Sequence, residues 1–183
     1  GFRAAAAVLG YIWENLKENF PKFETIESYV LSEYVLLDAN TRKNLELVET
    51  LREKSKYGSL LWAIDKTKTN MGARLLRAWI CQPLKDVSAI QKRQNFVQQL
   101  IDLDETRTGL SEVLEQIYDI QRLATRLSNG SVSPRDFISL KVSLQRLPEI
   151  IDLVNVIDTD LFDEVKSFSK DLADFADIIE RTI

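Results

Sequence analysis

After Asp38 the apolar residues of this 183-residue chain return every three or four positions almost to its end, and no run alternates apolar with polar. A period near 3.6 gathers such residues on one side of a helix, whereas a half-buried strand needs a period of two. The chain is therefore confined to a mainly α, multi-helix architecture, and the punctuation between the stripes divides it. Asp38 or Asn40 caps a helix carrying Leu45, Val48 and Leu51 that stops near Gly58. Ser59 caps a short helix through "LLWAID", and Thr69 caps another in which Met71, Leu75 and Trp79 share a face, with Pro83 preventing continuation. Asp86 opens a stripe at Val87, Ile90, Val97 and Ile101. The pattern runs on through Leu110, Leu114, Ile117, Ile120, Leu123 and Leu127 until Asn129 and Gly130 break it. Ser133 as cap, Pro134 at the first helical position and Asp136 in the first turn form a strong helix start. Asp160 begins a last helix through Val165, Phe168, Leu172, Phe175 and Ile179.

Before Asp38 the pattern is mixed. Residues 2–19 place Phe2, Ala5, Leu9, Ile12 or Trp13, and Leu16 at helical spacing, closed by Pro21, and this amphipathic helix needs a partner to pack against. β-branched and aromatic residues then come in short runs, at Ile26, Tyr29 and Val30 and again at 34–37, which predicts one or two short N-terminal strands.

Composition narrows function. Apolar residues make up 45% and charged residues 28%, as in a soluble globular protein. No apolar run approaches the roughly 20 residues of a membrane span, and the opening "AAAAVLGYIW" lacks the flanks of a signal peptide. A cytoplasmic protein is expected. Histidine is absent, which removes Ser-His-Asp and Cys-His catalysis and His-bearing metal sites. The single cysteine, Cys81, rules out an internal disulfide and reads as a reduced thiol at a helix end. A net charge of −4 opposes autonomous, tight nucleic-acid binding, although a local basic face remains open. The chain begins inside a helical pattern without an initiating Met, and we read it as a fragment of something larger.

The stretch "GSLLWAIDKTKTNMGARLLRAWICQPL" has the vocabulary of a phosphate-binding loop: glycines, hydroxyls, lysines and arginines. A Walker-type cradle needs Gly, four residues, then Gly-Lys-Ser or Gly-Lys-Thr after a strand. Here Gly72 is followed by Ala73 and Arg74, and Gly58 is too distant, so no P-loop is present. Gly72, in a first helical turn, instead suggests close approach of a neighbouring element. Arg42, Arg74, Arg77, Arg93, Arg122 and Arg126 could form a basic face or pair with carboxylates, and Arg122 and Arg126 lie four apart near Asp119, which favours local ion pairing. Asp38 and Asp65 could make a metal or acid–base pair, but capping explains the first and no second motif completes a site for the other. Catalytic, cofactor-binding and metal residues are all expected to be none.

These pieces in order resemble the core region of the MutS family of DNA mismatch-repair ATPases. The similarity starts at "LDANTRKNLEL", including Asp38, Thr41, Arg42, Asn44, Leu45 and Glu46. It continues through "GSLLWAIDKTKTNMGARLLRAW", "QPLKD", Ile90 with Arg93, "YDIQRLATRL", "SPRD" and "LPEI". It covers essentially residues 38–183. The resemblance implies that residues 1–37 are the end of a connector domain and the crossover into the core, and that residues 38–183 are the first part of a helical core, or lever, domain.

In such a protein the parent binds mismatched double-stranded DNA, hydrolyses ATP with Mg, pairs with a second copy of itself and works with a MutL-type partner. By the same resemblance, this chain contains none of the mismatch-reading, clamp or P-loop parts. It would be a non-catalytic core that couples the ATPase domain to the DNA clamp. A lever of this kind must resist bending, and a close-packed interior does so. We expect Leu45, Trp62, Leu75, Trp79, Leu123 and Phe137 to form that interior. The alternative function is a stand-alone helical protein–protein interaction module, presenting the apolar stripe between Phe2 and Leu16.

Overall fold

A computed structural model describes residues 2–17, 33–159 and 162–182. Among them are ten helices: α1 Phe2–Leu16, α2 Ala39–Asn44, α3 Leu60–Ile64, α4 Asn70–Cys81, α5 Val87–Asp102, α6 Asp104–Leu114, α7 Ile120–Ser128, α8 Pro134–Gln145, α9 Leu147–Val154 and α10 Asp163–Thr182. None is long and apolar enough to cross a membrane.

Local chemistry sets most of the helix starts. Asp38 accepts from the Thr41 amide at 2.6 Å, Ser59 from Trp62 at 3.2 Å, Thr69 from Gly72 at 2.9 Å and Asp86 from Ala89 at 2.7 Å, each satisfying a donor that the first helical turn leaves free. At α8 the Ser133 hydroxyl accepts from the Asp136 amide, while the Asp136 carboxylate accepts from the Ser133 amide at 2.9 Å, a capping box with Pro134 in the first turn. Pro83 marks the end of α4, which closes at Cys81.

Three expectations change. The helix predicted from Asp38 through Leu51 is only six residues long, because Glu46 adopts φ 48°. The Leu47 amide then reaches back to the Arg42 carbonyl at 3.3 Å and the Glu46 amide to the Lys43 carbonyl at 3.0 Å. That is a Schellman closure built without glycine, so no sequence signal announced it. The same closure ends α7, where Gly130 at φ 64° allows the Ser131 amide to reach the Arg126 carbonyl at 3.0 Å. The long stripe after Leu103 is two helices, divided where the Asp119 carboxylate caps α7.

The predicted strands are the third change. Residues 34–37 form no strand: Tyr34 makes a single antiparallel bridge to Leu84, flanked by the Val35 amide on the Pro83 carbonyl at 2.8 Å and the Lys85 amide on the Glu33 carbonyl at 3.0 Å. The residues proposed for an earlier strand, Ile26, Tyr29 and Val30, lie outside the described residues, as do Pro21 and Asp160.

The helices from α5 onward make a packed body. α8 lies along α10, α7 joins α8, and α6 packs on both α5 and α9. Leu123, Leu140, Leu144, Ala176 and Ile179 form the buried cluster, backed by Ile120, Phe137, Leu147, Leu172 and Phe175. Gly109 serves the contact between α6 and α9, since a Cβ there would stand 3.1 Å from a Leu153 methyl. α1 buries none of its residues.

Candidate functional site

The charged residues converge where the loop before α4 meets the turn between α6 and α7. On the α4 side, Asp65 ends α3 and gathers three donors: Lys56 Nζ at 2.6 Å, Thr67 Oγ1 at 2.7 Å and the Thr67 amide at 3.2 Å. The Lys56 hydrogen bond, then those from Thr67, hold its carboxyl down at about 2. Gly72 follows. A Cβ there would meet the Thr69 Oγ1 at 3.0 Å, so this glycine accommodates its own helix's cap and not a neighbouring element, as the sequence suggested.

The α7 side supplies the partner. Arg74 donates from Nη1 to Asp119 Oδ2 at 2.6 Å and from Nη2 to Asp119 Oδ1 at 2.8 Å, a two-pronged bridge, and Nη2 also reaches Gln121 Oε1 at 2.8 Å. Asp119 Oδ1 accepts from the Arg122 amide at 3.2 Å as the α7 cap. The Arg74 hydrogen bond is the main reason the Asp119 carboxyl lies below its usual range, and Asp119 in return raises Arg74. Lys68 pairs with Glu115 at the other end of the turn. Between these pairs the Tyr118 amide donates to Ser143 Oγ at 3.0 Å, and the hydroxyl of Ser143, fully buried in α8, donates a hydrogen bond to the Ser139 carbonyl at 2.9 Å.

The local pairing expected around Asp119 is thus corrected. Its side-chain partner is Arg74, 45 residues away, while Arg122 contributes its amide and Arg126 bridges to Asp136 at 2.7 Å. Arg77 and Arg122 line a cleft of about 470 Å³ with Lys56, Asn70 and Arg74. Arg93 stacks on the Trp79 ring, 3.7 Å from its centroid, and Arg42 Nε donates to the Leu37 carbonyl at 3.0 Å. Arg74, Arg77 and Arg122 thus share one cleft and Arg122 and Arg126 line the next, whereas Arg42 and Arg93 are engaged elsewhere.

The interior expected from sequence also divides. Leu123 is buried at 7% exposure, and Phe137 packs against its cluster. Leu45, Trp62, Leu75 and Trp79 are at the surface of this chain, at 58, 47, 52 and 42%. Leu45 is the residue at which α2 turns out of the helix, and Trp62 stacks on Tyr57 with ring centroids 4.5 Å apart. In α4 the half-buried positions are Met71, Gly72, Ala73, Leu76, Ile80 and Cys81, so Met71 of the predicted stripe does face inward, while farther along the helix the inward positions are Leu76 and Ile80, one residue or about 100° on from Leu75 and Trp79.

Chemically the site braces. Asp65 and Asp119 are held as anions by hydrogen bonds, the opposite of the raised pKa that suits a general acid. Asp38, the other carboxyl weighed for chemistry, is a cap whose pKa the Thr41 amide lowers. No group of His, Cys, Asp or Glu that could hold a metal ion gathers among the described residues. Sequence reasoning missed the Asp65 and Ser143 contacts. Thr67 two residues after Asp65 was a readable signal for the first, and nothing local pointed to the second.

Fold and site together define a helical packing domain whose charged residues hold helices in place. The chain belongs to the MutS domain III family, which it matches over residues 40–183. It is 41% identical over all 183 residues to the DNA mismatch repair protein MutS of Lachnoclostridium phytofermentans, of which it covers 20%, and 44% identical over 183 residues to that of Alkaliphilus metalliredigens, of which it covers 21%. The protein of the same name from Trichormus variabilis is 42% identical over 152 residues, 83% of this chain and 18% of that protein. The chain spans about a fifth of the length of these curated relatives.

Proposed function

We propose that this chain is the non-catalytic helical core of a DNA mismatch-repair ATPase, coupling its ATPase domain to its DNA clamp. The observation that carries this is whole-length similarity to proteins named for mismatch repair, in each of which this chain matches only about a fifth. Residues 1–37 would be the end of the connector domain and the crossover, and residues 38–183 the first part of the core. The parent would be cytoplasmic, bind mismatched double-stranded DNA, use ATP and Mg, dimerise and engage a MutL-type partner. The cross-element bridge from Arg74 to Asp119 and the packing of α8 on α10 suit a coupling role, because displacement at one helix passes to the next. The surface positions of Leu45, Trp62, Leu75 and Trp79 suit contacts with the rest of the parent.

The test compares the parent with this chain alone in heteroduplex binding and ATP hydrolysis. Both activities are expected in the parent and neither in the chain. Heteroduplex-selective binding by the chain itself would place mismatch recognition here and defeat the division of labour. The second reading, a stand-alone interaction module, draws on α1, where Phe2 is 90% exposed and no residue is buried. Reading the gene past Ile183 separates the two: a clamp-like insertion followed by a Gly-rich P-loop supports the first, and an early stop codon the second.

A further inference from the structure

We propose that the junction between α4 and the α6–α7 turn is a polar hinge, at which the 65–82 segment can part from the helical body and seat again without opening an apolar core. Three observations carry this. First, two ion pairs join the parts across long stretches of chain, Arg74 to Asp119 and Lys68 to Glu115, 45 and 47 residues apart, and the Arg74 fork adds Gln121. Second, α4 buries no residue fully and contributes none to the central cluster; Met71, Leu76 and Ile80 are only half-buried, and Trp79, at its surface, is covered by the Arg93 guanidinium of α5. Third, loop residues Lys66, Thr67 and Lys68 lie along an open, largely apolar groove of about 360 Å³ whose floor includes Phe96, Leu100 and Leu114. Unfilled space there means the loop can move without colliding with close-packed atoms, and few contacts are lost when it does.

The geometry also supplies a pivot. Just beyond the far end of α4, Pro83, Leu84 and Lys85 are pinned by backbone hydrogen bonds to Glu33, Tyr34 and Val35, so movement at the ion-paired end becomes rotation about the bonded one. An ion pair is directional and defines one seated position; once parted, each partner is satisfied by water at small net cost. A buried apolar contact has no such alternative.

The experiment measures a distance in the full-length parent. Spin labels are placed at Ala78 of α4 and Gln145 of α8, both exposed, with Cys81→Ala in every variant and any thiol of the parent outside this chain likewise replaced. The unaltered pair should give one narrow distance distribution. Arg74→Ala, and Asp119→Asn, which keeps a cap for α7, should each add a second population, as should raising salt to about 1 M, where screening acts within about 3 Å. Arg146→Ala, which removes only a short-range pair to Glu149 in α9, should leave the distribution unchanged. A distribution as narrow in both Arg74→Ala and Asp119→Asn as in the parent would overturn the hinge. The coupling role is read separately by adding ATP: if the two variants broaden but ATP never shifts the parent, the hinge stands and the coupling reading falls.

Discussion

The body formed by α7, α8 and α10 and the joint between α4 and the α6–α7 turn are held by different forces. In the body, Leu123, Leu140, Leu144, Ala176 and Ile179 exclude water from one another, a non-directional gain that grows with the area buried. In the joint, α4 leaves Leu75 and Trp79 at the surface and is placed by a guanidinium fork on Asp119 and by Lys68 on Glu115. Close apolar packing is strong and rigid, and parting it exposes apolar surface to water, whereas the guanidinium fork orients α4 at small net cost to break. A domain that must both hold its shape and re-seat one element has a use for both.

The sharpest way to break this contrast is within the body. Leu144→Ala, at a position 4% exposed, should lower unfolding free energy by about 2 to 5 kcal/mol in a urea titration. A loss below about 1 kcal/mol would mean that the α8–α10 interface is no true core. Next comes Ser143→Ala, which leaves the Tyr118 amide without its acceptor where body and joint meet; about 1 to 3 kcal/mol should be lost. No measurable change would show that the turn draws nothing from α8.

The smallest effect is expected from acid, which acts on the joint and on the Asp86 and Asp136 caps of the body, where the apolar cluster still holds the helices. Asp65, at about 2, and Asp119, also lowered, have folded pKa values below the unfolded value of about 3.9. Their contribution is therefore complete above that value and disappears as pH falls from about 4 toward 2. Trp62 and Trp79 lie in or beside the joint, so in a Trp13→Phe chain the tryptophan emission should change in that window before the helical circular dichroism does. Coincident transitions would mean that joint and body unfold as one unit.

How much of this was legible in the sequence follows from the range of the interactions. The caps at Ser59, Thr69 and Asp86, the box of Ser133 with Asp136 and the closure at Gly130 all bond within five residues, so residue type and spacing were enough to announce them. The family motifs were legible for the same reason, as short runs in a recognisable order. The end of α2 at Glu46 was not, because the left-handed turn there uses a residue that does not advertise it.

Nor could the chain by itself show which side of α4 faces inward. After Met71, which faces inward, Leu75 and Trp79 continue the stripe as well as Leu76 and Ile80 do, and only the placement of α4 over α3 and beside α7 chose between them. The joint is the extreme case. Asp119 had two arginines within a helical turn or two, yet its bridge went to one 45 residues away, because tertiary folding brought that guanidinium in at the angle its fork requires. Residue order is enough to make this chain a set of capped helices of the MutS domain III family; which faces are buried and which charges meet follows from folding, since both depend on groups that share space without sharing sequence neighbourhood.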